Sequence, residues 1–484
     1  MLDILKNVFG YNSFRNGQQP VVENLINGRD VLAVMPTGAG KSICYQVPAL
    51  KAEGITIVVS PLISLMIDQV RTLLQCGVRA AYLNSALTRT QYFKALSNAA
   101  KYTYKIIYVA PERLLSDSFI NFVKSVNISL IAIDEAHCIS QWGQDFRPSY
   151  LNIKDFIAQL PKRPVIGAFT ATATEKVKRD IIKELGLIDP YTLTTGYDRK
   201  NLYFAVKKPQ LKNEEVLKTV SNHKNESGII YCMSRKSVEE LNYMLNSKGF
   251  SSTRYHAGLS DIERKQNQEN FIQGTNNIMV ATNAFGMGID KPDVRYVLHY
   301  NMPLSLESYY QEAGRAGRDG KPAQCILLYS PSDYRTNEFL IDLVDENESL
   351  SQEEKDDIKA RDMYKLDKMR SYALSRRCLR EYILNYFGER TDPNCKYCGN
   401  CIKSGHIKGY TPDEDRELYN KLKTITYEIA KYEHIPAYSV LNDAILMDMA
   451  IKKPKTLEDL KKVEGMGSFK IKKYGEIYLR ILNE

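Results

Sequence analysis

No stretch of about twenty uncharged apolar residues occurs in the 484-residue chain, and its first residues lack a basic-then-apolar leader pattern. A membrane-spanning helix and a secretion signal are therefore not expected, and the protein should stay where it is made. Internal repeats and low-complexity tracts are missing as well, which argues against a solenoid. Tryptophan is used once, at Trp142. Of nine cysteines, five stand singly in apolar stretches (Cys44, Cys76, Cys138, Cys232, Cys325). They read as reduced, buried small hydrophobes, so the expected location is a reducing compartment, the cytoplasm. The other four gather between Cys378 and Cys401. A net charge of +9 fits a polyanionic partner without demanding one. Length allows three or four domains.

What is present begins with a glycine-turned loop. The apolar run Val31-Leu32-Ala33-Val34 leads into Met35-Pro36-Thr37-Gly38-Ala39-Gly40-Lys41-Ser42. Glycines at 38 and 40 let backbone N–H groups point at phosphate oxygens. Lys41 supplies a point charge, and the Ser42 hydroxyl can ligate Mg²⁺. The strict pattern would place glycine where Met35 stands. Downstream, Leu130-Ile131-Ala132-Ile133 ends in Asp134-Glu135-Ala136-His137, which sets two carboxylates at the carboxyl edge of a parallel sheet, where α/β proteins place their ligands. Asp134 is expected to hold Mg²⁺, Glu135 to activate water, and His137 to bond to a neighbouring strand end.

The fold class is α/β. Runs at 31–34, 55–59, 106–109, 130–133 and 165–169 alternate with helical segments, and a second set lies at 228–232, 278–282, 294–298 and 325–329. This predicts tandem lobes at 1–205 and 206–332, followed by helical segments at 333–405 and 411–484. Gly388 and Pro393 are expected to end one of those helices, and Pro436, Pro454 and Gly465-Met466-Gly467 to break the last segment. At the end of the second lobe stands Gln311-Glu312-Ala313-Gly314-Arg315-Ala316-Gly317-Arg318-Asp319. Arg315 and Arg318, three apart, are expected on one helical turn facing one phosphate, where such a group is worth about a thousandfold in rate. A surface arginine pair is the alternative.

With the phosphate loop, the paired carboxylates and the arginine segment in this order, the chain resembles a superfamily-two helicase of the RecQ family of DNA helicases. The resemblance implies two RecA-like lobes sharing ATP, in a molecule expected to act as a monomer. Tyr11, with Phe14-Arg15-Asn16-Gly17-Gln18, resembles an adenine-recognition motif in which Gln18 reads the base edge and Tyr11 and Arg15 sandwich it. Thr37, Gly38, Ala39, Gly40, Lys41 and Ser42 would hold the phosphates. Ser60-Pro61-Leu62, Ala110-Pro111-Glu112-Arg113, and Tyr255-His256-Ala257-Gly258 resemble segments that grip nucleic acid, and Thr170-Ala171-Thr172-Ala173 a relay between ATP and DNA. The segment Ala281-Thr282-Asn283-Ala284-Phe285-Gly286-Met287-Gly288-Ile289-Asp290 resembles another second-lobe motif. Trp142, Phe146 and Arg147 sit in an aromatic loop after the carboxylates. Core filling is the ordinary reading of that loop; the resemblance implies stacking on unpaired bases.

Cys378, Cys395, Cys398 and Cys401 form C-x₁₆-C-x₂-C-x₂-C, with the first expected on a helix. Four thiolates close a tetrahedral Zn²⁺ site, which makes it structural. Arg376, Arg377 and Arg380 beside it suit either phosphate contact or a solvated basic face. The last seventy residues resemble an HRDC domain, whose lysines after residue 451 suggest an auxiliary nucleic-acid face. The winged-helix domain usual between these two modules is absent, since Cys401 and Thr411 are nearly adjacent. The implied activity is 3′-to-5′ translocation on single-stranded DNA with unwinding of tailed or branched duplex, in repair, recombination or replication. An RNA-directed ATPase and a silent scaffold are the competing readings.

Overall fold

Apolar runs without alternation form strands that helices cover on both faces, because either face exposed to water would lose its burial. The computed structural model of the chain describes every residue except 144, 287–290, 348–349, 390, 392–394, 403–413, 434, 436, 442, 464 and 484, and leaves side chains undescribed at 414–417, 420, 438, 443–444, 447 and 451. Met287, Gly288, Ile289, Asp290, Pro393, Thr411 and Pro436, named above, lie outside the described residues. The chain divides into two compact units, residues 1–196 with 411–484, and residues 197–410.

The first unit holds seven parallel strands: Val31–Val34 (β1), Ile55–Val59 (β2), Ala80–Leu83 (β3), Ile106–Val109 (β4), Ile128–Ile133 (β5), Val165–Thr170 (β6) and Tyr191–Thr194 (β7). Their order is β3-β4-β2-β5-β6-β1-β7. Register is fixed by pairs such as Ala33 with Phe169 and Val59 with Ile133. Val31 to Val34, Ile57 and Tyr108 are fully or almost fully buried, and Tyr45 packs edge-on against Phe169 at 5.3 Å between centroids. Asp30 is buried too, paired with Arg163 and accepting the N–H groups of Ile166 and Ile188 at 2.9 Å each.

The second unit holds Leu202–Lys207 (β8), Ser227–Tyr231 (β9), Ser252–Tyr255 (β10), Ile278–Ala281 (β11), Val294–His299 (β12) and Ala323–Leu328 (β13). The order is β10-β11-β9-β12-β13-β8, again parallel. The boundary expected at 205/206 falls inside β8, whose pairing along β13 places the whole strand in the second sheet. Helices Pro331–Asp342, Gln352–Leu374 and Leu379–Tyr386 complete this unit.

The C-terminal helices make their own core, with Leu422, Leu446, Met449, Val463 and Tyr478 buried. They also dock within the first unit. Gly465 N–H donates to Gly10 O at 2.9 Å, Tyr474 OH to Gln75 Oε1 at 3.0 Å, and Ser468 Oγ to Asn7 O. Several lysines of the expected basic face have partners within the fold. Lys470 is buried against Cys76, and Lys452, Lys461, Lys462 and Lys473 are ion-paired.

Gly10 has φ +77°, and a Cβ there would lie 2.4 to 2.6 Å from backbone atoms of Gly467 and Met466. Gly10→Ala is expected to cost about 1–2 kcal/mol from the left-handed backbone alone and to loosen the docked helices. Faster proteolytic release of the C-terminal segment checks this, and parent-like resistance would contradict it.

Candidate functional site

The loop after β1 leaves the sheet at its carboxyl edge, where Met35 N–H donates to Thr170 O at 3.0 Å. Met35 is fully buried, so its side chain serves the core. That is why the departure from glycine at this position leaves the loop intact. Gly38 and Gly40 have φ +87° and +78°, which glycine adopts without Cβ strain. The helix Lys41–Lys51 starts at Gly40, so its first N–H groups face the loop. Lys41 Nζ folds back to Met35 O at 3.2 Å.

Tyr11, Arg15 and Gln18 all gather at this loop. Arg15 Nη1 donates to Gly38 O at 2.8 Å, and its guanidinium lies 5.9 Å from the Tyr11 ring centre. Gln18 is buried, and Nε2 donates to Ala39 O and Gly40 O at 2.9 and 3.1 Å while Oε1 accepts Arg15 N–H. Its first task is therefore to brace the phosphate loop. A Cβ on Gly40 would sit 2.5 Å from Gln18 Nε2, so glycine is required there for packing as well as for φ.

Asp134 follows β5, its N–H bonded to Val59 O at 2.9 Å, and its carbonyl accepts Tyr150 OH at 2.9 Å. Burial, and then the neighbouring Glu135 charge, push the Asp134 carboxyl up to about 7. Glu135 has φ +48°, a conformation that costs a non-glycine residue about 1 kcal/mol or more. Its Oε2 is buried without a hydrogen-bond partner. His137 Nδ1 lies 2.9 Å from Thr170 Oγ1 and 3.3 Å from Glu135 Oε2, and burial holds the imidazole below its ordinary range. The expected bond to a neighbouring strand end is thus made, to the first threonine of the relay segment. Two adjoining carboxylates, one with an unfilled oxygen, are a hard-oxygen donor set that suits Mg²⁺.

Trp142 and Phe146 are half-buried, each keeping part of its ring at the surface. Lys176 Nζ covers the Trp142 ring at 3.3 Å from its centre. Arg147 pairs with Asp145 at 3.0 Å and donates to Pro61 O at 3.0 Å, so it fastens the aromatic loop to the Pro61 segment. Ser149 ties the same loop to Glu112, beside Arg113, at 3.0 Å. Pro61, Trp142, Phe146 and Arg147 therefore belong to one linked surface. His256 is a correction: it is buried, Nε2 meets Glu239 at 2.8 Å and Nδ1 accepts Gly258 N–H. Both nitrogens are spent inside the unit, leaving neither for a phosphate.

The arginine pair also differs from expectation. Helix Leu306–Ala313 stops before it, so Arg315 and Arg318 sit on the following turns. Arg315 is buried, with Nε lacking a hydrogen-bond partner and the guanidinium lying against Tyr231. Arg318 is half-exposed. Sequence spacing carries no signal for Tyr150, which steadies Asp134 from outside any recognised motif.

The ligand atoms of Cys378, Cys395, Cys398 and Cys401 lie within 4.8 Å of one another, and Cys378 Sγ to Cys398 Sγ is 3.9 Å. A tetrahedral Zn²⁺ with bonds near 2.3 Å needs sulfur separations of about 3.8 Å, so the residues fit zinc. Cys378 precedes helix Leu379–Tyr386 as its N-cap instead of lying within it. Arg380 takes neither role considered for it: it is buried and paired with Asp198.

Family models match along the chain: DEAD/DEAH box helicase at 15–180, helicase conserved C-terminal domain at 211–320, RecQ zinc-binding at 331–402 and HRDC domain at 415–482. An ATP-dependent DNA helicase RecQ of Bacillus subtilis (strain 168) is 46% identical over 82% of this chain and 66% of its own length. The chain thus spans just under two thirds of that relative. The RecQ helicase of Haemophilus influenzae is 33% identical over all of this chain and 96% of its own length. That alignment runs over 601 positions against 484 residues here, so more than a hundred of its positions have no residue of this chain. A Mycobacterium smegmatis helicase Lhr structure bound to ssDNA and AMP-PNP shares the fold at 20% identity and TM-score 0.55, over 69% of this chain and 48% of that one.

Two outcomes follow from this geometry. Asp134 binds its proton more tightly folded than unfolded, so its contribution to stability is full below pH about 4 and is lost as pH rises through about 7. Asp134→Asn should therefore melt progressively higher relative to the parent between pH 5 and 8, and a pH-independent difference would contradict it. Chelation of zinc should remove on the order of 10 kcal/mol of local folding energy. Loss of one metal per chain, with exposure of the 378–401 segment to protease, is the expected readout; Cys398→Ser should reproduce both.

Proposed function

The chain belongs to the RecQ family of helicases, and from that premise we propose that it is an ATP-dependent DNA helicase that moves 3′ to 5′ on single strands and opens tailed or branched duplex. The observation that carries the reading is the convergence of Lys41, Asp134, Glu135 and Thr170 at one sheet edge, beside a loop held open by two glycines with positive φ. In this reading the N–H groups of residues 37–42 and the Lys41 ammonium hold the phosphates, and Tyr11, Arg15 and the spare lone pair of Gln18 Oε1 receive adenine. Ser42 and Asp134 would hold Mg²⁺, which when bound would neutralise phosphate charge. Glu135 takes a proton from the attacking water as the water oxygen bonds to the γ-phosphorus. The bond to the bridging oxygen breaks, leaving ADP and phosphate.

Arg318 supplies positive charge to the transferring phosphoryl group, with the buried Arg315 beside it. His137 is bonded to Thr170 and lies 3.3 Å from Glu135 Oε2, so a shift in the 170–173 segment on DNA binding moves the imidazole beside the general base. Trp142 and Phe146 stack on bases after Lys176 is displaced, with Pro61 and Arg113 along the backbone. Repair, recombination or replication is the setting this activity suits, in the cytoplasm with the chromosome, as a monomer.

Lys41→Ala should abolish DNA-stimulated ATP hydrolysis, by about a thousandfold, while leaving DNA affinity within a few-fold. Equal turnover in mutant and parent would refute the assignment. Unwinding of 3′-tailed but not 5′-tailed duplex tests polarity, and stronger ATPase stimulation by RNA than by DNA would favour the RNA-directed reading.

A further inference from the structure

Within the second unit, the turn that carries Arg315 and Arg318 is held by a side chain that no motif includes. Arg199 lies just before β8, half-buried. Its guanidinium donates to Gly314 O at 3.3 Å, Ala316 O at 2.9 Å and Gly317 O at 2.7 Å. Asn201 adds Nδ2 bonds to Gly317 O and Lys321 O, each 2.8 Å. Gly317 has φ +55° and its absent Cβ would stand 2.5 Å from that amide, so the turn is shaped to receive these two side chains. Three carbonyls at different directions suit a planar fork of five donors and do not suit an ammonium. Arg199 thereby sets the backbone on either side of Arg315 and one residue before Arg318.

The segment bearing Arg199 is in turn fixed by the cysteine module. Arg380, two residues after Cys378, pairs with Asp198 and donates to Arg199 O at 2.8 Å and to Leu202 O. Cys398 bridges Phe204 on the edge strand β8, and Gly399 N–H donates to Phe204 O at 2.8 Å. Phe387, at the end of helix Leu379–Tyr386, stacks on Tyr197 at 4.6 Å. A continuous set of bonds runs from the cysteine turn to Asp198 and Arg199, and from there to the arginine turn.

We propose that Arg199 is a positioning residue for ATP hydrolysis: anchored by Arg380 of the cysteine module, it holds the carbonyls of the arginine turn so that Arg318 is aimed at the transferring phosphoryl group. The proposal rests on the role given to Arg318 above. A misaimed charge-stabilising group loses most of its effect on the transition state and little on ground-state binding. The kcat should therefore fall while the KM for ATP stays.

The test is a double-mutant cycle in the full-length, zinc-loaded protein. Arg199→Ala should lower kcat of DNA-stimulated ATP hydrolysis by about tenfold or more, with KM for ATP within about twofold and one zinc per chain retained. Arg199→Lys should recover only part of the loss. Arg318→Ala should lower kcat further, and the Arg199→Ala, Arg318→Ala double variant should match Arg318→Ala alone, because Arg199 acts through Arg318. Multiplying losses in the double variant would overturn the proposal, as would parent-like kcat in Arg199→Ala beside an impaired Arg318→Ala. A parent-like Arg318→Ala would overturn the charge-stabilising role itself, and the proposal with it. Arg380→Lys supplies a second approach to the same turn: it should lower kcat in the parent and leave the Arg318→Ala background unchanged.

Discussion

Parallel pairing of β1, β6, β5 and β2 is the constraint on which the nucleotide site depends. Parallel strands deliver their carboxyl ends to one edge, and each of these ends continues into a segment that the proposed function uses. Met35 N–H bonds to Thr170 O and Asp134 N–H to Val59 O, so the phosphate loop, the carboxylates and the relay threonine are held in one hydrogen-bonded frame. His137, whose imidazole burial holds below its ordinary range, then bonds Thr170 across that frame, with Glu135 Oε2 3.3 Å from the same nitrogen. Because strand register sets each spacing, a one-residue slip in β5 or β6 would move all of them together.

The interior of both sheets was legible in the sequence because fully buried parallel strands are apolar at every position. Four strands were not: β3, β7, β8 and β10. Each lies at an end of its sheet's strand order. An edge strand has one neighbour and admits polar residues, as in Tyr191-Thr192-Leu193-Thr194 and Ser252-Thr253-Arg254-Tyr255. Phosphate loop, carboxylates and cysteine cluster were legible because their chemistry demands fixed residue types at short spacing. Gln18, Arg147 and His256 were harder, since residue type does not reveal whether a polar group faces a ligand or is spent on backbone carbonyls and carboxylates within the fold.

The same ambiguity hid Arg199. In Asp198-Arg199-Lys200-Asn201 it reads as one of several charges on a surface turn. Only tertiary structure brings it to a segment more than a hundred residues later, whose carbonyls would otherwise face water or each other. Arg380 shows the converse: a residue placed among basic neighbours beside a metal cluster, and used to anchor backbone. Each unit thus surrounds its chemical groups with side chains that fix backbone, and these set where the reactive ones point.

A structure with a non-hydrolysable ATP analogue and Mg²⁺ bears most directly on the proposed motor. The triphosphate should lie along residues 37–42 with the metal on Ser42 and Asp134, and the γ-phosphate should be within hydrogen-bond distance of the Arg318 guanidinium. A γ-phosphate seated in the loop but beyond reach of both Arg315 and Arg318, in the presence of single-stranded DNA, would contradict it.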